Sequence, residues 1–168
     1  MNGTLTLRRA RTADVPPLLD LINGYAMRGL LLPRSEASLR ARLDDFVVAD
    51  DGGRVVACGA LSELGRGLGE VRSLAVAEDA AGMGIGHALV DHLMDEAAAR
   101  GFREVLALTR RESFFARLGF GVTERERFVD KLRVDCVACP RNACCDEIAM
   151  VRLVERRHMG AEEGVSLG

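Results

Sequence analysis

Tryptophan is absent from this 168-residue chain and tyrosine occurs once, which leaves little of the aromatic surface on which single-stranded nucleic acid stacks. A surplus of charge is missing too. Lys and Arg number 23 against 25 Asp and Glu, a net charge of −2, so there is no general attraction to nucleic acid or to anionic membrane. Long apolar runs are also lacking: the longest uncharged apolar one without several glycines, Val55 to Leu61, falls far short of the roughly 20 residues that span a bilayer. The opening MNGTLTLRRARTAD reaches Arg8 and Arg9 before an apolar segment develops, and so carries no secretory pattern. The expectation is a cytoplasmic protein with neither nucleic acid nor membrane as partner.

What is present is a globular balance, 48% hydrophobic and 29% charged residues, enough to bury a core and too apolar for a disordered chain. The length fits one domain, expected over residues 1–154, with a frayed charged and glycine-containing tail over 155–168. Cysteine is distributed unevenly. Cys58 lies alone in an apolar run, whereas Cys136, Cys139, Cys144 and Cys145 crowd into a segment expected to be an insertion from Thr123 to Cys145. Cys136 and Cys139 have zinc-like spacing and Cys144 or Cys145 offers a third thiolate. No second C-x-x-C or His partner accompanies them, so a structural metal, a disulfide and free thiols all stay open.

Alternating residues Thr4 to Arg9 read as a first strand. Thr12, ahead of Asp14, Pro16 and Pro17, reads as the cap of an amphipathic helix with its prolines in the first turn, and Ser35 as the cap of a second helix to about Leu43. Phe46–Ala49 and Arg54–Leu61 flank Asp50-Asp51-Gly52-Gly53, a hairpin signal, and Glu70–Ala77 reads as the next strand. Ile85, Leu89, Leu93 and Ala97 recur every four residues, as a helix with one buried stripe requires, up to a Gly101 cap. Glu104–Thr109 is a strand, Glu112–Leu118 a short helix, and Asp146–Leu153 a last strand. The order β, α, α, β, β, β, α, β, α, β predicts a mixed α/β sheet flanked by helices.

Between the strand at 70–77 and the long helix lies Gly82-Met83-Gly84-Ile85-Gly86. A glycine-rich turn at a helix start aims backbone N–H groups at an anion such as phosphate. It is neither a dinucleotide fingerprint, because Leu89 stands where the third glycine belongs, nor a Walker loop, because His87-Ala88 follows Gly86. Taken with Glu70-Val71-Arg72-Ser73-Leu74-Ala75-Val76 before it and Phe114-Phe115-Ala116-Arg117-Leu118-Gly119-Phe120 after it, the segment resembles the GNAT superfamily of acetyl-CoA-dependent N-acetyltransferases. That resemblance implies a GNAT fold with splayed fourth and fifth strands. It implies acetyl-CoA as cosubstrate, with Leu74, Ala75 and Val76 along pantetheine, Gly82, Met83, Gly84, Ile85, Gly86 and His87 around the pyrophosphate, and Phe115 and Arg117 close by. Ala81 stands where the family usually has Arg or Gln, which shifts cofactor binding toward backbone amides.

Leu31-Leu32-Pro33-Arg34-Ser35, Leu108-Thr109-Arg110 and the run from Cys145 to Met150 narrow the resemblance to the acetyltransferase domain of N-acetylglutamate synthases, in a short, stand-alone form. The implied reaction is direct transfer of acetyl to the α-amino group of L-glutamate, in arginine biosynthesis. Glu70 is the candidate base and the Leu74 backbone N–H the candidate oxyanion donor. Two carboxylates call for planar cations, and Arg34, Arg72 and Arg110, with the Ser73 hydroxyl, are the candidates. Phe115 occupies the position where the superfamily commonly has a tyrosine acid; a thiol pKa of about 8.5 already makes thiolate a fair leaving group. Tyr25 and Ser113 remain candidate helpers. Cys58 reads as a buried inert thiol. Two alternatives are acetylation of another amino acid or small amine, and a non-catalytic acyl-CoA sensor; a homodimer is left open.

Overall fold

The computed structural model describes residues 4–128 and 147–155. Strands β1 (Leu5–Arg9), β2 (Phe46–Asp51), β3 (Arg54–Gly65), β4 (Leu68–Val76), β5 (Glu104–Thr109), β6 (Gly121–Val122) and β7 (Ile148–Leu153) form one sheet in the order β1-β2-β3-β4-β5-β7-β6. All neighbours are antiparallel except β4 and β5, which run parallel because α3 (Ile85–Ala99) crosses between them. Helices α1 (Val15–Met27) and α2 (Glu36–Ala41) cover one face; α3 and α4 (Glu112–Arg117) cover the other.

The α3 stripe works as its spacing requires. Ile85, Leu89, Leu93 and Ala97 are all buried and pack with Val71, Val105 and Ala107 of the sheet. Each large side chain so covered contributes roughly 1.5–3 kcal/mol. On the opposite face Leu18, Ile22 and Leu39 from α1 and α2 bury Phe46, Val48, Cys58 and Ala75. A third cluster on that face joins Leu106, Ala149 and Phe128, the last from a 3-10 turn at Arg125–Phe128. The opening of the expected insertion is thus packed onto the sheet. The four clustered cysteines and His158 lie outside the described residues, as does most of the expected tail.

Several boundaries differ from the sequence reading, each for a local reason. Thr12 does not cap α1: it opens a 3-10 turn, and Asp14 is drawn inward by a two-pronged bond from Arg8 at 2.8 and 3.0 Å. Asp14 also accepts the Arg11 N–H at 2.7 Å, and α1 begins only at Val15, with both prolines in its first turn. Ser35 does cap α2, accepting from the Ser38 N–H at 3.1 Å, but α2 stops at Ala41 and a 3-10 turn at Leu43–Asp45 leads into β2. β3 and β4 form a longer hairpin than their apolar cores indicate, turning at Arg66-Gly67 because backbone pairing continues past the last buried side chain.

Candidate active site

β4 is paired on both sides only along Leu68–Val71. There it faces Glu104–Ala107 of β5 in parallel register; Leu108 and Thr109 continue β5, paired only with β7 on its other edge. The rest of β4, from Arg72 to Val76, is held by β3 alone, which leaves a wedge between the two strands. Within that half the register slips: Cys58 faces Ala75 and Ala60 faces Arg72, so Gly59 opposes both Ser73 and Leu74. This is a β-bulge, and Ser73 at φ 53° is the one non-glycine residue with positive φ among the described residues.

The bulge resets which side chains face where. Before it, Val71 points toward α3 and, by alternation, Glu70 and Arg72 point toward α1 and α2. After it, Leu74 and Val76 lie on the α3 side and Ala75 on the α1 side. The backbone alternates as well. Ala77 N–H bonds the Val56 carbonyl of β3 at 2.8 Å, so Val76, and two residues earlier Leu74, turn their N–H and C=O groups toward the wedge. Leu74 is therefore placed to offer an N–H to an oxyanion formed there. The Val76 carbonyl accepts the Tyr25 hydroxyl, and Arg28 lies 4.6 Å from the Tyr25 ring centroid. Tyr25 thus ties α1 to the end of β4.

Glu70 is 3% exposed, buried at the point where the strands part, and its carboxylate lies 3.4 Å from the Arg72 Nε. Beside it, Arg34 is suspended over the Phe46 ring at 5.3 Å and directs single guanidinium nitrogens at the Ser73 and Ser38 hydroxyls, both at 3.4 Å. Burial, and then the like charge of Arg72, push the Arg34 pKa down. No carboxylate among the described residues lies within ion-pair distance of Arg34. Two guanidinium groups and a hydroxyl therefore converge from α1–α2 and β4. Arg110 stands exposed one residue beyond β5, on the other lip of the wedge.

At the far end of the wedge the glycine loop runs exposed from Ala81 to Gly84 and enters α3 at Ile85. Gly84 is the N-cap at φ 78°, a left-handed conformation that glycine adopts without strain. A Cβ on Gly86 would stand 3.3 Å from the Phe114 ring, which would have to shift by a few tenths of an ångström, and at ordinary contact distance, 3.9 Å, from Val76 of β4. The N–H groups of the first turn of α3 open beside this loop, a geometry suited to a pyrophosphate. His87 meets Phe114 edge-on at 5.2 Å.

Phe115, expected near the cofactor, is 6% exposed and packs edge-on to Phe114 at 5.0 Å and to Phe120 at 5.2 Å. Phe114, half-buried against Gly86, is the phenyl nearer the loop. Arg117 is exposed at the end of α4. Cys58 is fully buried behind the bulge, with its sulfur 3.3 Å from the Ser73 carbonyl, and burial pushes its thiol up to about 12, as an inert role requires. Asn23, absent from the sequence-based candidates, bonds the backbone of Arg34; nothing in its local sequence marks it.

A parallel pair that opens at a bulge, followed by a glycine loop at a helix start, is the arrangement that the resemblance to acetyl-CoA-dependent acetyltransferases implies. Residues 19–120 match the profile of the Acetyltransferase (GNAT) family, and the chain belongs to that family. It is 43% identical over 117 residues to an amino-acid acetyltransferase of Mycobacterium tuberculosis, covering 68% of this chain and 67% of that protein. Among solved structures it is similar to N-acetylglutamate synthase from Neisseria gonorrhoeae, complexed with coenzyme A and N-acetyl-glutamate. The TM-score is 0.83 and the identity 26%, over 93% of this chain and 36% of the gonococcal one. It is also similar to Rv2747 from Mycobacterium tuberculosis in complex with CoA, with a TM-score of 0.78 and 34% identity, over 89% of this chain and 99% of that one. The fold and family expected from the glycine loop and its flanking strands are those found. No helix among the described residues is long and apolar enough to cross a membrane.

Proposed function

We propose that the protein is an amino-acid N-acetyltransferase that transfers acetyl from acetyl-CoA to the α-amino group of L-glutamate, as N-acetylglutamate synthases do. The observation that carries this reading is the half-buried Arg34 guanidinium, which stands beside Arg72 and Ser73 and has no carboxylate within ion-pair distance among the described residues, only the more remote charge of Asp45. A partly desolvated cation next to a second cation is stabilised by an anion from outside the chain, and a dicarboxylate supplies two. Arg110, on the opposite lip, is the candidate for the second carboxylate.

In this reading Glu70 accepts the ammonium proton, directly or through a water, and the freed amine attacks the thioester carbon. Electron density moves onto the carbonyl oxygen, where the Leu74 N–H stabilises it. The C–S bond then breaks, the new amide nitrogen gives up its remaining extra proton, and CoA leaves as thiolate, which that proton neutralises directly or through water. Leu74, Ala75 and Val76 hold the pantetheine arm, and Gly82 to His87 hold the pyrophosphate. The buried Cys58 thiol takes no part, so no acetyl-enzyme forms.

The test is a screen of all amino acids with acetyl-CoA, reading released thiol. Glutamate is expected to be the best acceptor. A higher kcat/KM for a neutral amino acid rejects the glutamate assignment, and CoA binding without turnover on any acceptor rejects the enzymatic one.

A further inference from the structure

The guanidinium of Arg34 is only as well placed as the backbone that carries it, and that backbone lies in the connection between α1 and α2 rather than on either helix. Connections of this kind are ordinarily the loosest part of a scaffold, whereas recognition of a carboxylate demands a fixed cation. One side chain resolves the conflict. The Asn23 Oδ1 accepts the Arg34 N–H at 3.0 Å, and the Asn23 Nδ2 donates to the Arg34 carbonyl at 3.1 Å. Both backbone polar groups of Arg34 are thus bonded by a single planar amide, half-buried on the third turn of α1. An amide is the one short side-chain group that donates and accepts in the same plane, and so it mimics a neighbouring strand. Two bonds to one residue fix rotation as well as position, which a single cap bond does not. The helix behind it is itself anchored: Leu18 and Ile22 are fully buried and the Tyr25 hydroxyl holds the Val76 carbonyl.

We infer that Asn23 is a positioning residue for acceptor recognition: it sets where the Arg34 guanidinium stands relative to Glu70 and the wedge, without touching substrate itself. This rests on the reading of Arg34 as a carboxylate-binding residue. Since Asn23 acts through Arg34, its removal weakens the acceptor and leaves acetyl-CoA alone.

The test is a double-mutant cycle on the full chain, with glutamate and acetyl-CoA varied separately. Asn23→Ala is expected to raise KM for glutamate about tenfold, from loss of two neutral bonds to the residue that carries the cation. KM for acetyl-CoA should stay within about twofold. In the Arg34→Ala background, Asn23→Ala should add nothing further to the glutamate KM. Asn23→Asp keeps the acceptor for the Arg34 N–H and loses the donor to its carbonyl, so it covers the case in which the alanine variant does not fold; it too should raise the glutamate KM alone. Equal rises for both substrates, an undiminished effect in the Arg34→Ala background, or a normal glutamate KM in both Asn23 variants each overturns the positioning role. If instead Arg34→Ala itself leaves the glutamate KM unchanged, the underlying assignment of Arg34 fails, and the positioning role fails with it.

Discussion

The two halves of β4 are continuous in sequence and opposite in character. Leu68–Val71 is hydrogen-bonded on both edges and crowded: a Cβ on Gly69 would lie 2.7 Å from the Phe102 ring and 3.0 Å from Leu61. Arg72–Val76 is bonded on one edge, bulged, and carries the positive φ of Ser73. The closed half is built for stability and the open half for contact, since unpaired backbone groups are what a ligand can bind. Glu70 belongs to the first half by register and, in the mechanism proposed above, to the second by chemistry. A strand need not change sequence class to change task; it only has to lose one neighbour.

The sharpest way to break this division is at its boundary. Glu70→Gln removes the proposed base while keeping the side chain's shape, and turnover at saturating substrate should fall roughly 10²–10⁴-fold. The melting temperature should hold, and the dependence of rate on pH should flatten on its acid side, measured by initial rates across pH. Normal turnover would remove Glu70 from the mechanism. In the closed half the effect should be the reverse. Gly69→Ala forces Phe102 to move and should cost about 1–3 kcal/mol of stability by denaturant titration, with kcat per folded molecule unchanged.

Smaller effects sharpen the contrast. Ser73→Gly relieves a conformation that L-residues resist and should raise stability by about 0.5 kcal/mol, yet it deletes the hydroxyl that Arg34 approaches at 3.4 Å. Stability and the glutamate KM should therefore both rise in that variant. The smallest effect on activity is expected at Cys58, where alanine should leave kcat intact. Its thiol, about 12 in the fold against 9.0 in an ordinary setting, stays protonated after the unfolded chain's thiol has begun to ionise. Its contribution to stability is full below 9.0 and is lost as pH climbs toward 12, so the denaturation midpoints of wild type and Cys58→Ala should converge above 9.0.

What was legible in the sequence was whatever local pattern dictates. The α3 stripe, the Asp50–Gly53 hairpin and the glycine loop each follow from spacing or backbone freedom. What escaped depended on partners distant in the chain. Phe114 and Phe115 are identical as letters, and only α4's packing on Phe120 decides which is buried. Ser73 has no preference that announces a positive φ; the bulge arises because β3 and β4 pair out of step around Gly59. Thr12 loses its capping role to the ion pair that Asp14 makes with Arg8 of β1. β6, two residues long, is too short for alternation to register.

The tie between Tyr25 and Val76 has a spectroscopic consequence. With one tyrosine and no tryptophan in the chain, all tyrosine emission of the protein originates from a single ring, at longer wavelength than the weak emission of its six phenylalanines. That ring donates its hydroxyl to the last carbonyl of the open half of β4. The native tyrosine emission therefore reports on one place in the molecule, the end of β4. No label has to be attached to watch that strand.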